Sequence, residues 1–219
     1  MLNAQCPMST WLQLLRQHKA IAIIRSCDPN LAHKMALAVA AGGMNLIEIT
    51  WNNDCPGDLI SQLRSQLPQC TIGAGTIINL RQLQEAVMAG AQFAFAPHFD
   101  PTILKASLSH YKIPFVPGVF SPTEVVNAWQ QGARVVKIFP IESLGGAKYI
   151  KCLQGPLSHI PLIPTGGITL DNAQSMIAAG AIAVGISSNL FLQEAIVNQD
   201  WSNITTRTEI LLNNLQTAQ

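Results

Sequence analysis

The chain has 219 residues, 48% of them hydrophobic and only 11% charged, with a formal net charge of +1. This is ample material for one large core and little for a disordered tail, and so even a charge balance gives no broad electrostatic basis for binding nucleic acid or an anionic membrane. The five cysteines (Cys6, Cys27, Cys55, Cys70, Cys152) are odd in number, widely spaced and without a CxxC pair, so free thiols in a reducing cytoplasm are expected rather than a disulfide framework or a thiolate metal site.

The N-terminus, MLNAQCPMSTWLQLLRQHKAIAIIR, lacks a positively charged start followed by an uninterrupted apolar stretch, so no signal peptide is expected. No later segment reaches the roughly 18 consecutive apolar residues of a membrane span. Residues 8–19, MSTWLQLLRQHK, have the spacing of an amphipathic helix. From there, short apolar runs alternate with helical patterns. The runs are AIAIIR at 20–25, LIEIT at 46–50, CTIGA at 70–74, FAFA at 93–96, PFVPG at 114–118, VVKIF at 135–139, PLIPT at 161–165 and AIAVG at 181–185. They are continuous rather than alternating, as strands covered on both faces should be.

Between the runs lie PNLAHKMALAVAAGG, NLRQLQEAVMAGA, SPTEVVNAWQQGA and TLDNAQSMIAAGA. Each closes on glycine (Gly42 and Gly43, Gly90, Gly132, Gly180), where a left-handed residue commonly ends a helix. Ser121 with Pro122 and Glu124 reads as a capping box, and Asp28 before Pro29 as a second capped start. NITTRTEILLNNLQ at 203–216 reads as a terminal helix on the ring. Eight strand–helix units predict an α/β fold, a (β/α)8 TIM barrel with an N-terminal helix across one end, in one domain over residues 1–219. The typical barrel has about 250 residues, so this would be a compact one. A doubly wound sheet is the competitor, but IIRSCDPN lacks the glycine-rich turn it usually carries after its first strand.

In such a barrel the chemistry lies at the C-terminal ends of the strands. Polar residues there are Arg25, Glu48 and Thr50, Thr76, His98, Lys137, the corner from Thr165 to Gly167, and Ser187 with Ser188. If Lys137 points inward, desolvation favours its neutral amine, which can attack a ketone to form a Schiff base; if outward, it is a snorkelling side chain. Glu48, flanked by isoleucines, is a natural general acid/base, or else an inert partner of Lys137 or Arg25. One lysine and one carboxylate suit iminium chemistry better than metal chemistry, because no convergent Asp/His set is visible; neither metal nor cofactor is expected. The TGG turn before a helix start, together with VGISSN after the last strand, suits a phosphate, although turns need glycine anyway. GAGT at 73–76 offers close backbone approach or a plain tight turn. His98 serves as a cap as readily as a proton carrier, and Trp51, Phe99 and Phe120 can line the mouth or fill gaps. These residues alone leave open a phosphosugar isomerase or synthase and a non-enzymatic binding barrel.

LIEIT, GAGTIIN, FAFAPHFD, VPGVFSPTE, VVKIFP, LQGPLSHIPLIPTGGI and VGISSNL, in that order, strongly resemble the 2-dehydro-3-deoxy-phosphogluconate and 4-hydroxy-2-oxoglutarate aldolases, class I enzymes with a (β/α)8 fold. The resemblance implies cleavage of 2-keto-3-deoxy-6-phosphogluconate to pyruvate and glyceraldehyde 3-phosphate, and of 4-hydroxy-2-oxoglutarate to pyruvate and glyoxylate, by a homotrimer. It implies Lys137 as imine lysine, Glu48 as acid/base, Thr76, Pro97 and Phe139 as substrate contacts, and Gly166, Gly167, Gly185 and Ser187 as the phosphate site. One departure is Asn52, which stands where the phosphogluconate-type members carry an arginine for the substrate carboxylate. The related 6-phosphogalactonate aldolases have asparagine in a similar context, and Arg25 can supply the missing charge.

Overall fold

The computed structural model describes residues 8–217; Cys6 and the first part of the N-terminal reading lie outside them. The strands are β1 (Ala20–Ile24), β2 (Leu46–Thr50), β3 (Thr71–Gly75), β4 (Ala94–Phe95), β5 (Phe115–Val116), β6 (Gly118–Val119), β7 (Val136–Ile138), β8 (Leu162–Pro164) and β9 (Val184–Ile186). The helices are α1 (Met8–His18), α2 (Pro29–Ala41), α3 (Pro56–Gln66), α4 (Leu80–Met88), α5 (Pro101–Ala106), α6 (Pro122–Gln130), α7 (Ala147–Leu157), α8 (Ala173–Ala178), α9 (Gln193–Val197) and α10 (Trp201–Gln216).

Every ladder is parallel, as strands joined by helical crossovers must be. Pairing runs β5-β4-β3-β2-β1-β9, and separately β6-β7-β8. A bridge between Thr165 and Gly185 links the two sets. β5 and β6 are consecutive pieces of the run expected at 114–118, interrupted by Pro117, which has no N–H to give to a ladder. The arrangement is TIM-barrel-like. The last strand starts later than the run AIAVG suggested, because Ala181 is still part of the helix ending: its N–H donates to Met176 O at 3.1 Å.

Alternation along the strands sorts the apolar side chains into two layers. Ile47, Ile49, Val136 and Ile138 belong to the core between strands and helices. Leu46, Phe93, Val135 and Ile163 belong to a separate interior cluster, together with Trp11 and Leu15 of α1. Trp11 stacks on Phe93 with ring centroids 4.6 Å apart, so α1 packs its apolar face onto the N-terminal side of the strands. The helix ends follow local rules. Asp28 Oδ1 accepts from Asn30 N and Leu31 N, and Ser121 and Glu124 form the reciprocal capping box. Gly43, Gly90, Gly132 and Gly180 are left-handed, while Gly42 has φ −79°. α10 lies on the outside against α2, α8 and α9. Among the described residues, no helix is long and apolar enough to cross a membrane.

Candidate active site

Lys137 follows from the period of two. Val136 and Ile138 face the helices, so the lysine between them faces the interior, where it is 6% exposed. Its Nζ lies 4.9 Å from the Phe139 ring centroid and 5.9 Å from that of Phe95. Burial lowers its pKa below the ordinary lysine value; the negative charge of Glu48 works against that shift and the positive charge of Arg25 adds to it.

Glu48 sits on the interior face of β2 by the same alternation, beside Ile23 of β1 and Gly73 of β3. It is 1% exposed and its Oε2 has no hydrogen-bond partner among the described residues. Burial raises its pKa, with Lys137 and then Arg25 opposing. Lys137 and Glu48 are therefore each other's strongest charged influence, yet they form no direct ion pair. Among the described residues the only ion pair is the exposed Arg81–Glu85. Two glycines make this arrangement possible. A Cβ on Gly75 would overlap the Glu48 carboxylate, and one on Gly73 would overlap the Phe93 ring. The GAGT stretch thus gives room to interior side chains, a third reason for glycine besides a turn or a ligand.

Above this pair opens a cavity of about 390 Å³ at the C-terminal ends of the strands. Of the expected residues, Arg25, Thr76, Pro97, Lys137 and Phe139 line it, as do Gly166, Gly167, Gly185 and Ser187. Glu48 lies behind the wall. Asn52 is exposed on the turn after β2 and does not line the cavity. The buried polar residue of that turn is its neighbour Asn53, whose Oδ1 accepts from Thr50 Oγ1 at 2.9 Å and from Ser26 N at 3.0 Å. Asn53 thereby ties the loop that follows Arg25. His98 is exposed and outside the wall; its carbonyl accepts from Gly118 N at 3.3 Å. Trp51 and Phe99 pack against the strand–helix core, and Phe120 is exposed.

Thr76 is a β-branched residue with φ +59°, a conformation that costs on the order of 1–3 kcal/mol and recurs at functional sites. Gly166 and Gly167 have φ +87° and +81°, a geometry in which backbone N–H groups can converge on an anion. Ile23, Thr165, Ile168 and Ser188 complete the wall. Thr165 is 4% exposed and its Oγ1 has no hydrogen-bond partner among the described residues. The sequence singles it out only as the first residue of the corner that runs to Gly167.

The model of the family described as KDPG and KHG aldolase matches residues 12–207. A 2-dehydro-3-deoxy-phosphogluconate aldolase of Dickeya dadantii is 35% identical over 193 residues, 88% of this chain and 90% of the relative. A KHG/KDPG aldolase of Escherichia coli K12 is 34% identical over 171 residues, 78% of this chain and 80% of the relative. Among solved structures, a KDPG aldolase from Legionella pneumophila, with pyruvate captured at low pH as a covalent carbinolamine intermediate, superposes with a TM-score of 0.84. It is 30% identical, and the match covers 91% of this chain and 97% of that one. On this evidence the chain belongs to the KDPG and KHG aldolase family.

Proposed function

We propose that the protein is a class I aldolase that cleaves 2-keto-3-deoxy-6-phosphogluconate to pyruvate and glyceraldehyde 3-phosphate, and 4-hydroxy-2-oxoglutarate to pyruvate and glyoxylate. The observation that carries the reading is a buried amine, its pKa lowered, on the wall of a cavity and under the influence of a buried carboxylate to which it is not directly paired. A lysine held only for structure would gain by closing that ion pair. A lysine held for attack must stay free and neutral.

The neutral Lys137 amine attacks the C2 ketone of the substrate. Loss of water from the carbinolamine, with Glu48 as proton donor and acceptor, gives the protonated imine. Glu48, directly or through a water, then takes the C4 hydroxyl proton as the C3–C4 bond breaks, releasing the aldehyde, and the iminium accepts the electron pair to become an enamine. Protonation at C3 and hydrolysis return pyruvate and the free amine. Arg25, Thr76, Pro97 and Phe139 form the binding wall for the keto acid. Gly166, Gly167, Gly185 and Ser187 hold the phosphate, whose binding energy orients the reacting end.

The architecture proposed with this activity is one (β/α)8 domain spanning residues 1–219, with α1 as the N-terminal helix across one end. A homotrimer is proposed on the family likeness, to be checked by sedimentation velocity. A cytoplasmic location is supported by the exposed free thiols of Cys27, Cys55 and Cys152. The activity is tested by comparing pyruvate release from the phosphogluconate-derived, phosphogalactonate-derived and hydroxyoxoglutarate substrates in the presence of EDTA. The first and third are turned over on this reading; no pyruvate from any of them would overturn it.

A further inference from the structure

Arg207 stands on α10, remote in sequence from the cavity, and does not line it. Its guanidinium is nevertheless spent on a single target. Nε and Nη2 donate to the Asn189 carbonyl at 2.9 and 2.7 Å, and Nη2 also donates to Asn189 Oδ1 at 3.2 Å. The same Oδ1 accepts from Leu170 N at 2.9 Å. Asn189 lies two residues beyond Ser187 in the loop after β9, and Leu170 lies three residues beyond Gly167 in the loop after β8. One carboxamide therefore spans the two loops that supply the proposed phosphate ligands, and a charged fork holds that carboxamide and its backbone from outside.

The β8 loop has its own tie, since Asn172 Nδ2 donates to Gly167 O at 2.8 Å. Ser187 is anchored in turn, its Oγ donating to Ile23 O at 2.8 Å. The Thr165–Gly185 bridge fixes the two strands at the base of the loops, and what these bonds leave undefined is the spacing of the loops beyond it. Left-handed glycines have little intrinsic stiffness, and groups converging on an anion must hold their spacing to a fraction of an ångström. A planar, bidentate, charge-assisted contact is the side-chain device best suited to fix it.

We propose that Asn189 and Arg207 are positioning residues that set the separation of the two phosphate-binding loops and thereby the enzyme's preference for a phosphorylated substrate. The proposal rests on the phosphate reading given above. Two variants test it. Asn189→Ala removes the link to Leu170 and leaves the backbone carbonyl, while Arg207→Lys keeps the charge and removes the fork. In each, kcat and KM are measured for the phosphorylated substrate and for 4-hydroxy-2-oxoglutarate, and inorganic phosphate is titrated as an inhibitor of cleavage of the latter. The expected result is an increase in KM for the phosphorylated substrate about tenfold larger than any change for the unphosphorylated one, with phosphate inhibition weakened by a similar factor. A parallel change for both substrates, or undiminished phosphate inhibition, would reduce the contact to a fold-stabilising one and overturn the proposal. Should the wild-type protein show neither a preference for the phosphorylated substrate nor inhibition by phosphate, the phosphate reading itself fails and takes this inference with it.

Discussion

The carboxylate of Glu48 fills the volume that a β-carbon on Gly75 would need. The two residues are diagonal neighbours across the β2–β3 ladder, where Thr50 is the register partner of Gly75 and Glu48 that of Gly73. Gly75→Ala is therefore expected to push the carboxylate out of place and to lower kcat by on the order of 10²-fold, the scale of a lost general acid/base. Gly73→Ala, which strikes the Phe93 ring instead, is expected to cost about 1–3 kcal/mol of stability with a much smaller loss of rate. Urea unfolding and steady-state kinetics on the two variants separate the effects.

Burial lowers the Lys137 pKa from the ordinary value of 10.5, and this has a stability consequence whose sign is fixed. Between the native and unfolded values the unfolded chain holds a proton that the native protein does not, so stability rises with pH through that window. Below it, both states are charged and the full desolvation penalty acts on the native state. Lys137→Met is accordingly expected to be more stable than wild type at neutral pH, by a margin that shrinks as pH climbs toward 10.5. Its kcat should fall on the order of 10³-fold or more, as for loss of a nucleophile. Denaturant titrations across pH provide the check.

Thr76 holds a left-handed backbone on the cavity wall. Replacement by glycine relieves roughly 1–2 kcal/mol of steric strain and raises the entropy of the unfolded chain by a comparable amount. Thr76→Gly should thus leave the melting temperature nearly unchanged while KM for the keto acid rises. A large loss of stability would show that the threonine is held by packing rather than for its hydroxyl.

Trp11 is fully buried in the interior cluster and its Nε1 has no hydrogen-bond partner among the described residues. Trp11→Ala should cost about 3–5 kcal/mol. Trp11→Phe should cost markedly less, because it keeps most of the stacking area on Phe93 and removes a desolvated N–H. Urea unfolding of both variants tests the order.

Much of the fold was legible because each strand is covered on two faces. Continuous runs such as LIEIT announce themselves, and capped starts at Asp28 and Ser121 fix where helices begin. The division at Pro117 and the late start of β9 were less visible, since they depend on which backbone groups find partners across the ring. Within the site, Lys137 and Glu48 stood out as charges in apolar runs, and the inward direction of each follows from alternation once its neighbours face the helices. Asn53 was missed for the opposite reason. A short polar residue in a turn is common in sequence and becomes informative only when tertiary contacts bury it. Asn52 drew attention through a family pattern, while the fold gives the buried, hydrogen-bonded place to the next residue. The brace from Arg207 through Asn189 to Leu170 joins segments 18 and 19 residues apart, and nothing local in any of them announces it.

The proposed chemistry turns on whether Lys137 forms an imine with a keto acid. Folded protein treated with borohydride in the presence of pyruvate should acquire one covalent adduct, equal in mass to pyruvic acid less one oxygen atom, on the peptide that contains Lys137. An unmodified Lys137 under those conditions, or an adduct carried by another lysine, would contradict it.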